Sequence, residues 1–84
     1  MEIPSIGPLL QRLAIGTRVL VSGRCAGWRE DLHGVICGDP EPVETMRGAD
    51  FFYMVQFEAP QHDLSEDGPY YKAQILGRCL APAA

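Results

Sequence analysis

The sequence predicts an all-β domain, a small five-stranded barrel preceded by a short N-terminal helix. Three observations carry that expectation. Residues 49–58, A-D-F-F-Y-M-V-Q-F-E, alternate with period two in aromatic and β-branched side chains, the signature of a strand. Nine glycines and seven prolines in 84 residues divide the chain into pieces too short for long helices. A chain of this length buries only about 60–65% of its unfolded surface, so a thin core closed on itself, or shared with a second copy, is the economical solution.

The elements follow in order. Ile3, Ile6, Leu9, Leu10 and Leu13 have near-helical spacing, with Gly7 and Pro8 as N-cap and first helical residue, so residues 1–14 form a helical extension and 15–84 the barrel domain. Gly16 turns the chain into a first strand, where Val19 and Val21 face inward and Arg18, Leu20 and Ser22 outward. Residues 23–33 are a polar, glycine-broken loop carrying Trp28. His33–Cys37 is the second strand, with Val35 inward and Ile36 outward. Residues 39–48 read as a loop held by Pro40 and Pro42. The central strand runs Phe51–Phe57. Tyr70–Ala73 is the fourth strand, followed by a continuation or a single 3₁₀ turn, and Arg78–Ala81 closes the barrel before Pro82. The expected core is Val19, Val35, Tyr53, Val55, Phe57 and Leu80.

Charge excludes one function class. The chain carries a formal −4, without the basic stripe a general nucleic-acid binder needs. The charge is dipolar: residues 1–29 hold four arginines against Glu2, whereas ten of the eleven acids lie beyond. No stretch reaches the ~20 apolar residues of a membrane span, and the N-terminus has no basic segment of the secretory kind. Cys25, Cys37 and Cys79, an odd count with no C-x-x-C spacing, point to buried thiols in a reducing cytoplasm.

Chemistry-bearing motifs are sparse. Asp63-x-Ser65-x-Asp67-Gly68 opens like a calcium loop, but its twelfth position is Gln74 where a bidentate Glu belongs, so it reads as a solvated hairpin loop. His33 and His62 have no ligand at metal-site spacing, and no metal is expected. Cys25 or Cys37 paired with a histidine as a nucleophile is weaker than a small buried hydrophobe beside a surface imidazole. Trp28, between Arg24 and Arg29, is the expected exposed anchor, a lid or an interface hot spot.

The segments G-T-R-V (16–19), the loop with Trp28, H-G-V-I (33–36), Y-M-V-Q-F (53–57) and L-A-P (80–82) resemble SH3-like barrels of the electron-transport accessory group. That group includes the small stromal subunit of photosystem I and the type II dihydrofolate reductases. The resemblance covers residues 15–82. It implies a binding or accessory module, and it carries an alternative. Type II reductases are homotetramers around one pore lined by Val-Gln-Ile-Tyr, and they are typical passengers of mobile gene cassettes. The matching stretch here is Ala73-Gln74-Ile75-Leu76, so the resemblance implies Gln74 and Ile75, with Lys72, as an NADPH-binding catalytic set. The family's pore lysines are replaced by Leu20, Val21 and Ser22, and its pore tyrosine by Leu76.

The leading expectation is therefore a non-enzymatic cytoplasmic module without a cofactor. Strand parity places Leu20, Ile36, Phe52 and Met54 on one outer surface. With Trp28 they are the expected interface of a homo-oligomer, a dimer or tetramer, or of another protein partner, with no role for nucleic acid or membrane.

Overall fold

The computed structural model describes residues 12–83. The expected helix, over residues 1–14, lies outside them apart from Arg12, Leu13 and Ala14, which are not helical. The strands are β1 (Arg18–Val21), β2 (Leu32–Ile36), β3 (Glu41–Thr45), β4 (Gly48–Gln61), β5 (Tyr70–Leu76) and β6 (Leu80–Pro82). A four-residue helix, α1 (Gly23–Ala26), follows β1, and a 3₁₀ turn, Gly77–Cys79, joins β5 to β6. No helix among the described residues is long and apolar enough to cross a membrane.

All pairings are antiparallel. β4 is the hub, pairing with β3 and β2 in succession and with β5; β1 pairs with β2 and β6. The sheet curls into a half-barrel, and the gap between β5 and β6 is spanned by the 3₁₀ turn rather than by a ladder. Its length lets β4 do this: fourteen residues give three neighbours room along one strand.

The core assembles on the inner face. Val19, Val21, Ile36 and Val55 are fully buried, with Leu32, Tyr53, Phe57, Ile75 and Cys79 packed around them. The expected inner parity of β1 and β4 is what the burial follows. The parity of β2 is the reverse of the expected one. Leu32, Gly34 and Ile36 point inward and Val35 is only half-buried. The inward slot at Gly34 admits no side chain: a Cβ there would stand 2.6 Å from both the Gln56 carbonyl oxygen and a Val55 methyl. Leu80 is likewise half-buried at the rim.

Two further corrections concern count and cross-links. The proline-marked segment is not a loop but a sixth strand. β3 lies at the sheet edge, and an edge strand tolerates Pro42, which has no N–H to donate. Thr45 fastens its turn, accepting from the Arg47 amide (3.1 Å) and donating to the Gly48 carbonyl (2.7 Å). Cys25 and Cys79 are not separate thiols but a disulfide, Cα atoms 5.5 Å apart, and Cys37 is free and exposed. The cysteine argument for a reducing compartment thus loses its premise, since two of the three sulfurs are oxidised and the third is not buried.

Candidate functional site

Outward side chains fall into rows across the sheet, set by register. Phe52 lies opposite Leu76 on one side and Glu41 on the other. Met54 lies opposite Gln74, and its carbonyl accepts from the Cys37 amide. Next come Val35, Gln56 and Lys72, then Leu20 with His33 and Ala81. Arg18 and Glu58 form an exposed ion pair at 3.0 Å on this side. Phe52, Met54 and Leu76 therefore make a half-buried apolar triangle. Leu20 stands apart from it, beyond the row of Gln56 and Lys72. Ile36, 0% exposed, belongs to the core and leaves the expected interface altogether.

The other sequence-selected residues are also dispersed. Gln74 and Lys72 share the exposed face of β5, whereas Ile75, 2% exposed, points into the core. Gln74 is not presented with Ile75, because neighbours on a strand face opposite ways. Its nearest polar partner is the Glu41 carboxylate at 3.5 Å, an anion where a dinucleotide phosphate would require cations.

Trp28 is buried rather than an exposed anchor. Its indole packs edge-on against Phe57 (centroids 5.0 Å apart) and Tyr70 (5.6 Å), plugging one end of the half-barrel. The loop beyond β4 holds it there: Trp28 bridges to Asp63, and the Arg29 and Leu64 amides donate to the carbonyls of His62 and Gly27. The Arg29 guanidinium completes the latch, donating to the carbonyls of Asp63 (2.7 Å) and Ser65 (2.8 Å). The calcium-like segment folds around its own hydrogen bonds, with Asp63 accepting from the Ser65 amide and hydroxyl. The hydroxyl bond above all holds the Asp63 carboxyl below its usual pKa.

The start of β4, around Asp50, is built differently. Asp50, 3% exposed, accepts from the Arg78 amide (3.2 Å) and Nε (3.1 Å) and from the Phe51 amide (2.6 Å). A buried carboxylate needs such partners, and a guanidinium supplies both charge and donors. The Arg78 Nη2 donates to Thr45 Oγ1, tying the 3₁₀ turn to the β3–β4 hairpin. Alongside, the disulfide joins α1 to the same turn, and the Ser22 amide donates to the Cys79 carbonyl (2.9 Å). Arg24, Arg47 and Arg78 line a cavity here with the disulfide, Ser22 and Leu76. Sequence reasoning missed this arrangement. The only local signal was the Arg-Cys dipeptide, present at 24–25 and again at 78–79.

Against known families, curated proteins and solved structures, the chain has no match.

Proposed function

We propose that the chain is a non-enzymatic SH3-like binding module that works as a homo-oligomer, its copies meeting around Met54. The observation that carries this reading is the Phe52–Met54–Leu76 triangle on the outer face of the hub strand. The same strand already supplies Tyr53, Val55 and Phe57 to the core, so both of its faces are apolar along this length. The rim favours a second copy over an unrelated partner. Glu41 flanks the triangle beside Phe52, and Lys72 flanks it two residues beyond Gln74 on the opposite strand. A twofold axis lying in the interface can set Lys72 of each copy against Glu41 of the other, and such isologous pairing is the commonest form of self-association.

The curled sheet, with its first strand paired to both the second and the last, supports the SH3-like reading. The placement of Ile75 in the core and of Glu41 beside Gln74 favours a binding module over the pore-type NADPH reductase.

Sedimentation at about tens of micromolar, well above the dissociation constant of a stable dimer, tests the proposal. The wild type should sediment as an oligomer. Met54→Glu should sediment as a monomer, because each interface would bury an unpaired carboxylate. A monomeric wild type would overturn the reading.

A further inference from the structure

We propose that the cavity beside the Cys25–Cys79 disulfide binds a small phosphorylated molecule. The cavity measures about 500 Å³, within the ~300–1,000 Å³ of small-ligand sites. Three of the seven basic residues converge on it in a chain whose net charge is −4, so the local sign is opposite to the global one. Among the described residues neither Arg24 nor Arg47 has a carboxylate within ion-pair distance, and both are exposed. Arg78 gives its Nε to Asp50 and its Nη2 to Thr45. Counting Asp50 against the three arginines leaves two positive charges uncompensated, close to the charge of a phosphate monoester near neutral pH.

The arrangement is preorganised. Arg24 precedes Cys25 and Arg78 precedes Cys79, so the disulfide clamps two guanidinium-bearing backbones together against their mutual repulsion. Arg47 enters from the β3–β4 turn, which Thr45 and Arg78 hold in place. Guanidinium groups offer paired donors whose geometry matches phosphate oxygens. The disulfide offers an apolar wall for the organic part of the ligand, and Ser22 adds a hydroxyl. A long polyanion is disfavoured, since the acidic remainder of the surface repels it.

Phenyl phosphate is a suitable probe, followed through the arginine side-chain N–H resonances. Saturable binding is expected, with a dissociation constant below about 1 mM. The double variant Arg24→Gln, Arg47→Gln keeps its fold, as both side chains are exposed. It should bind on the order of tenfold more weakly or worse, the loss of two charge-assisted contacts. Arg18→Gln, an exposed cation on β1 that does not line the cavity, should leave binding unchanged. Absence of saturation up to about ten times that concentration would overturn the proposal. So would a double variant with wild-type affinity, or equal weakening by Arg18→Gln.

Discussion

The loop between β1 and β2 is fastened at two places, and the fastenings differ in kind. At Trp28 the clasp is apolar: an indole wedged between two aromatic edges, with backbone hydrogen bonds sealing it against the loop beyond β4. At Cys25 it is covalent and ionic: a disulfide to Cys79 beside the buried Asp50–Arg78 pair. An apolar plug stabilises by excluding solvent, so it closes its end of the half-barrel. A covalent clasp has no need of close packing, and beside it a cavity remains where Arg24 and Arg47 meet no carboxylate at ion-pair distance among the described residues. The sole tryptophan is thus packed into the half-barrel, while the arginine-lined cavity lies beside the disulfide.

The largest way to break the comparison is Trp28→Ala. It removes the plug and should cost about 3–5 kcal/mol by chemical denaturation, the range for truncating a buried aromatic. The oligomeric mass and the arginine cavity are not expected to change while the protein stays folded. Loss of less than about 1 kcal/mol would show that the indole is not the structural plug.

Opening the other clasp should cost somewhat less. Reduction, or the pair Cys25→Ser and Cys79→Ser, releases a loop with a sequence separation of 54, for which about 2–4 kcal/mol is expected. Reduction should also weaken phenyl phosphate binding, because Arg24 is no longer tied to Arg78. An unchanged unfolding midpoint in dithiothreitol would contradict a structural role for the bond.

The smallest effect concerns the latch that backs Trp28. The hydrogen bond from Ser65 lowers the pKa of Asp63 below 3.8, so the ionised form is favoured in the folded loop. Its contribution is therefore present above the unfolded pKa and is lost as pH falls through the lower folded value. The carboxylate lies in a surface loop and stays partly exposed, so the effect is local and small. NMR titration should give a midpoint below 3.8 for wild type and a higher one for Ser65→Ala; equal midpoints would remove the hydroxyl as the cause.

Sequence by itself determined the all-β character and the hub strand. Phe51, Tyr53, Val55 and Phe57 share one parity over a run long enough to admit no helical reading, and Val19 and Val21 do the same for β1. Burial of an apolar face is a local demand, so the pattern alone expresses it. Three matters needed the tertiary structure. The inward side of β2 was undecidable in H-G-V-I-C, because a glycine occupies one inward slot; contact of Gly34 with Val55 and Gln56 chose Ile36 over Val35. β3 was hidden by Pro40 and Pro42, whose cost depends on lying at an edge, a property of the sheet and not of the segment. The arginine cavity was invisible because its members come from α1, a hairpin turn and a 3₁₀ turn. Only the curl of the sheet and a bond spanning 54 residues bring them together.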